Sequence, residues 1–117
     1  MPLVPHEHTL ARTLQTAGYE VALARSIVAL DRHSGQDAAS LAELVHVPRQ
    51  DVARVMRALE ADGLVRIDAD RARPGRPRLH YHLARPLDAA IAALHDKRRA
   101  ELAPTLAALD ELATRAA

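Results

Sequence analysis

Apolar residues recur at helical spacing along most of the chain and alternate in only one short stretch. Leu10 and Leu14 lie four apart and predict a first helix over about 7–17, closed by Gly18. Leu23, Ile27 and Leu30 form one stripe of a second helix over about 19–30. The segment HSGQD (33–37) reads as a turn. Ser40-Leu-Ala-Glu43 has the spacing of a capping box and opens a short helix with Leu41, Leu44 and Val45 inward. Val47-Pro48 makes a turn, with proline suited to the first position of the next helix. That helix is the clearest in the chain. Val52, Val55, Met56 and Leu59 fall at i, i+3, i+4, i+7, and Gly63 closes it.

The period then changes. Leu64, Val65 and Ile67 begin a strand, and Leu79, Tyr81 and Leu83 alternate with His80 and His82 as in a half-buried strand. The loop between them holds Pro74, Gly75 and Pro77. After Pro86 the helical period returns, with Leu87, Ile91 and Leu94 in one stripe and Leu102, Leu106, Leu109 and Ala113 in a second. A charged patch at 95–101 separates the stripes, and Pro104 predicts two helical pieces or one bent helix. Helix, turn, helix, strand, loop, strand is the order of a winged helix-turn-helix, whose second helix fits the DNA major groove. The expected fold is mainly α with a small β-hairpin wing over 1–85, followed by a C-terminal helical dimerisation extension over 86–117.

Composition adds a reason for the extension. The chain has no Phe or Trp and only Tyr19 and Tyr81, so its core is built from small aliphatic side chains that each bury little area. A partner chain would supply further burial. Leu87, Ile91, Leu94, Leu102, Leu106 and Leu109 are therefore the expected dimerisation residues, and alanines between them permit close helix approach. There is no cysteine, hence no disulfide, thiolate metal site or cysteine nucleophile. The first residues lack a basic start and a continuous apolar run, and no segment approaches 18 apolar residues, so the expected location is cytoplasmic and nucleoid-associated, with no membrane partner.

Net charge is only +1, but it is unevenly spread. Residues 48–85 carry nine arginines and five acids, while the flanking segments are slightly acidic. With its apolar positions inward, the clearest helix turns Gln50, Arg54 and Arg57 outward, with Arg49 at its start. Arginine can read guanine and glutamine adenine through paired hydrogen bonds, each worth about 1–3 kcal/mol of discrimination. In the loop 71–78, Arg73, Arg76 and Arg78 alternate with two prolines and a glycine. This makes an extended arginine probe suited to a minor groove, and PGRPR resembles the core of an AT-hook.

The stretches AGYEVALARSIVAL, ASLAELVHVPRQDVARVMRALEADGLV and GRPRLHYHLARPLDAAI resemble the DNA-binding part of TrmB-type regulators. MarR-, PadR- and ArsR-type winged helices share much of the pattern. The resemblance covers about four-fifths of the chain. It implies a winged-helix transcription regulator that dimerises partly through a helix after the wing. Arg49, Gln50 and Arg54 would then occupy recognition-helix contact positions and Arg76 the wing. Larger TrmB proteins carry a sugar-binding domain beyond this span, so sugar sensing is not carried over.

Other chemistry finds little support. His80 and His82 share a strand face about 6.6 Å apart along the strand, but no third ligand is fixed by spacing, so no metal is expected. They read instead as an exposed face near phosphates. Asp68 and Asp70 read as restraints on neighbouring arginines. There is no phosphate-binding glycine loop and no nucleophile elbow, so neither an enzyme nor a cofactor is expected. The expected function is that of a dimeric, sequence-specific double-stranded DNA-binding regulator, most often a repressor. An architectural chromosome-binding protein with little sequence preference is the alternative.

Overall fold

A computed structural model describes residues 3–71 and 74–117. They fall into two compact units, Met1–Leu87 and Asp88–Ala117. The first begins with α1 (Pro5–Thr16). Pro5 sits at its first turn, and the Val4 amide donates to Glu7 Oε1 at 2.9 Å, so the helix starts two residues before the position expected from apolar spacing. Helix α2 (Val21–Arg32) lies at the centre of the unit. Ala22, Ala24 and all of residues 26–30 are buried, because α1, α3, α4 and β2 pack around it. Arg32 Nη2 and Nε donate to Glu7 Oε1 and Oε2 at 2.8 and 3.2 Å, tying the end of α2 to the start of α1. The Arg32 hydrogen bond holds the Glu7 carboxyl below the usual carboxylate range, against the opposing pull of burial.

Helix α3 (Ala38–Val45) differs from the capping box expected at Ser40 and Glu43. Its N-cap is Asp37, whose Oδ1 accepts from the Ser40 amide at 2.8 Å. Leu41, Ala42 and Val45 are buried and Leu44 is half-buried. A carboxylate also suits the positive end of a helix better than a hydroxyl does. The turn to α4 passes through His46 in the left-handed region, φ 57°. Arg25 of α2 donates to the Val45 carbonyl at 3.0 Å, satisfying one free acceptor at the end of α3. Helix α4 (Arg49–Ala61) has Pro48 as its N-cap rather than its first helical residue. Val52, Val55, Met56 and Leu59 are its buried face, as the period requires.

Strands β1 (Val65–Asp70) and β2 (Arg78–Leu83) pair antiparallel, from Val65 opposite Leu83 to Asp70 opposite Arg78. A third short edge is present that periodicity does not mark. Gly35 donates to the Tyr81 carbonyl and Tyr81 to the Gln36 carbonyl, both at 2.9 Å, so the turn after α2 bridges to β2. Tyr81 is buried there, and burial pushes its phenol pKa up. The hairpin is thereby attached to the helical body on one side.

The second unit is one helix. α5 (Leu87–Ala116) runs for 30 residues with Pro104 inside it, so the proline neither ends nor restarts the helix. Ala90 and Leu94 are buried. Leu102, Leu106, Leu109 and Leu112 are exposed.

Candidate nucleic-acid interface

Helix α4 presents its polar face as expected. Arg49, Gln50, Arg54 and Arg57 are all exposed. They stand over a fully buried apolar face, so the helix cannot rotate about its axis without exposing core. Arg57 Nε turns back to the Ala53 carbonyl of its own helix at 3.3 Å. Arg54 is held differently. Its Nη2 and Nη1 donate to Glu20 Oε1 and Oε2 at 2.6 and 3.1 Å. Asp51 Oδ1 lies 3.6 Å from the same Nη2. These hydrogen bonds hold the Glu20 carboxyl below its ordinary range and raise Arg54 above its own.

The hairpin brings Arg76 and Arg78 toward the start of α4. Together with Arg49 they line a cleft of about 450 Å³, whose other walls are Asp37, Ala38 and Ala39 at the start of α3 and Pro77, Leu79 and Tyr81. Three arginines thus line one cleft at the N-terminal end of α4 and beside that of α3, where helix N-termini add positive potential. Asp37 is the counterweight. It caps α3, and its Oδ2 lies 3.6 Å from Arg78 Nε. The Ser40 amide, then the Ser40 side chain and Arg78, hold its carboxyl below the usual range despite burial. One acid therefore joins the helix-turn-helix to the wing. Gly75, at φ 99°, allows the left-handed turn at the loop tip. Arg73 lies outside the described residues.

The histidine face is not the open surface expected from alternation. His80 and His82 are half-buried against the turn after α2. His80 Nδ1 contacts the Gly35 carbonyl at 2.9 Å, which only accepts, so Nδ1 carries the proton. His82 Nδ1 meets Ser34 Oγ at 2.8 Å, and its Nε2 lies 3.3 Å from Asp68 Oδ2. Gly35 has φ 83°, a left-handed backbone conformation that favours glycine at this turn. These rings hold the hairpin to the body. Among the described residues, no three His, Asp or Glu side chains are placed to hold one metal ion. Asp68 pairs with Arg66 at 3.2 Å, the restraint expected of it.

Asp37 and Glu20 were both missed by sequence reasoning. Asp37 carried a signal, an acid three residues before Ser40, which the more conspicuous Ser40–Glu43 spacing masked. Glu20 carried none, because its partner lies 34 positions away.

No protein-family model matches the chain, and no curated protein is similar to it in sequence. Solved structures are similar in fold. A MarR-family transcriptional regulator from Silicibacter pomeroyi superposes with a TM-score of 0.56 at 22% identity, covering 92% of this chain and 80% of that one. TrmBL2, an archaeal chromatin protein, gives a TM-score of 0.56 at 25% identity over 91% of this chain. This chain spans only 40% of TrmBL2. A MarR-family regulator from Neisseria meningitidis gives 0.55 at 20% identity, covering 93% of this chain and 86% of that one. The fold is a winged helix-turn-helix followed by a long C-terminal helix, as the order of elements in the sequence implied.

Proposed function

We propose that this protein is a sequence-specific, double-stranded DNA-binding transcription regulator that acts as a homodimer, most simply as a repressor that blocks a promoter. The observation that carries the reading is the meeting of Arg49 from α4 with Arg76 and Arg78 from the hairpin at one cleft. In this reading α4 enters the major groove, where Gln50, Arg54 and Arg57 face base edges, and the hairpin reaches the adjacent minor groove. Phosphates are held by Arg49, Arg76 and Arg78. Arg73 is assigned to the same wing contact from sequence alone. The similar fold of MarR-family regulators supports the reading.

The homodimer rests on the exposed Leu102, Leu106 and Leu109 of α5; of the other residues expected to dimerise, Leu87 and Ile91 are half-buried and Leu94 is already buried within the single chain. A row of exposed leucines is unfavourable in water and favours association. Two-fold symmetry would offer two recognition helices to successive major grooves.

A second reading is favoured by the likeness to TrmBL2, which is a chromatin protein. In it the chain coats DNA with little sequence preference. Fluorescence anisotropy distinguishes the two, using a duplex selected from random DNA and a shuffled duplex of the same composition. A preference of about a hundredfold or more at about 150 mM salt is the result expected for the regulator, and a ratio near one for the architectural protein. Arg54→Ala is expected to weaken target binding and relax specificity, and Arg76→Ala to lower the salt slope by about one. Unchanged affinity in both variants overturns the interface.

A further inference from the structure

The recognition face has a feature that its function as a DNA-contacting surface does not explain. Arg54 stands at its centre, yet its two terminal nitrogens are taken by the Glu20 carboxylate at 2.6 and 3.1 Å. Glu20 belongs to neither helix of the helix-turn-helix. It is the N-cap of α2, and its carbonyl accepts from the Ala24 amide at 3.0 Å. Because α2 is the most deeply buried helix of the unit, Glu20 projects from a fixed base. Both side chains remain exposed to solvent, at 56% for Arg54 and 46% for Glu20, so the pair lies on the surface that would meet DNA.

An acid beside a DNA-binding arginine has two effects of opposite sign. It cancels the charge that would draw Arg54 to a phosphate, and phosphate affinity depends on uncompensated charge through counterion release. It also fixes the plane of the guanidinium, because a two-point ion pair restricts rotation about the side-chain axis. The end-on pairing uses Nη1 and Nη2 and not Nε, and Asp51 Oδ1 lies 3.6 Å from Nη2. An arginine edge held in one plane is what reading O6 and N7 of guanine requires, and that contact depends on geometry more than on net charge. We propose that Glu20 is a specificity-determining positioning residue, which withdraws Arg54 from phosphate contact and holds it as a base reader. The inference rests on α4 being the recognition helix.

The test compares the full-length wild-type chain with Glu20→Gln. Anisotropy is read on a selected duplex and its shuffled counterpart, across about 100–300 mM salt. Glutamine keeps the length of the side chain but releases the charge of Arg54. The variant is expected to bind shuffled DNA about fivefold more tightly at about 150 mM salt, with a salt slope steeper by about 0.9. Affinity for the selected duplex should change less, so the ratio falls. In an Arg54→Ala background the same change should leave the ratio between the two duplexes unaltered, which a merely structural role of Glu20 would not predict. An unchanged ratio and slope in Glu20→Gln overturns the inference, as does an equal loss on both duplexes. The wild-type ratio alone tests the DNA-binding reading. A wild-type chain that binds neither duplex, or both equally, overturns that reading and this inference with it.

Discussion

Helix α4 and the distal half of α5 carry apolar residues at the same helical period, and those residues meet opposite fates. Val52, Val55, Met56 and Leu59 are each 2% exposed or less, whereas Leu102, Leu106, Leu109 and Leu112 are 45–62% exposed. The first set packs against α2, α3 and β1. The second lies bare within the single chain. A period of 3.6 identifies which side of a helix is apolar, but whether that side is covered depends on what else the chain folds against it. If the open stripe pairs with a second copy, as proposed, its effect on stability should depend on concentration.

The comparison is sharpest when one deletion is made in both places. Leu59→Ala removes a packed side chain and leaves a cavity, so it should cost about 2–5 kcal/mol in denaturant unfolding at any protein concentration. Leu106→Ala removes the same atoms from a solvated surface. In dilute solution it should change stability by no more than about 0.5 kcal/mol. At higher concentration it should lower the apparent stability relative to wild type, because fewer chains gain from association. Sedimentation velocity on the two chains would show the matching shift toward monomer. An equal cost for both substitutions in dilute solution would break the comparison.

A smaller effect is expected at the junction of α3 and the hairpin. Asp37→Ala removes the cap of α3 and the acid that faces Arg78, and should cost about 1 kcal/mol. Ser40→Ala keeps the amide that Asp37 binds and should cost less. If Ser40→Ala is the more damaging of the two in thermal unfolding, the helix begins where the Ser40–Glu43 spacing suggested. That spacing misleads for a physical reason. A capping box and an acid three residues before it are both competent starts, and here the Asp37 carboxylate takes the Ser40 amide, so the helix begins one turn earlier.

The elements legible in the sequence were those whose signal is local. The apolar face of α4, the two strands and the exposed Gln50, Arg54 and Arg57 all follow from spacing within about a dozen residues. What was illegible depends on contacts between distant positions. The Gln36–Tyr81 bridge, the burial of His80 and His82 against residues 34–35, and the Glu20–Arg54 pair join segments that no period relates. Pro104 shows a different limit. Its missing amide and its ring predict two helical pieces or one bent helix, and of the two α5 is a single continuous helix.

The smallest effect expected comes from acid, and it again separates the two regions. Glu7 is buried and bonded to Arg32 and to the Val4 amide, and its pKa is lowered on folding. A carboxyl with a depressed folded pKa stabilises the fold fully above its unfolded pKa, near about 4.3. As pH falls through that range the unfolded chain takes up a proton first, and the contribution is lost by the time pH passes the folded pKa. The wild-type melting temperature should therefore drop on the acid side of about pH 4, and Glu7→Gln should drop less because it has no such proton to take up. The Glu111–Arg115 pair of α5, at 2.6 Å, is shorter than the 2.8 Å Glu7–Arg32 contact, yet both of its side chains stand in solvent. Exposed pairs contribute little whatever their length, so Glu111→Gln should change the melting temperature little. Melting curves of the three chains between about pH 3 and 7 would decide the matter. A Glu7→Gln variant whose deficit is as large at the acid end as at neutral pH would mean that Glu7 acts through shape and its bond to Val4, not through its charge.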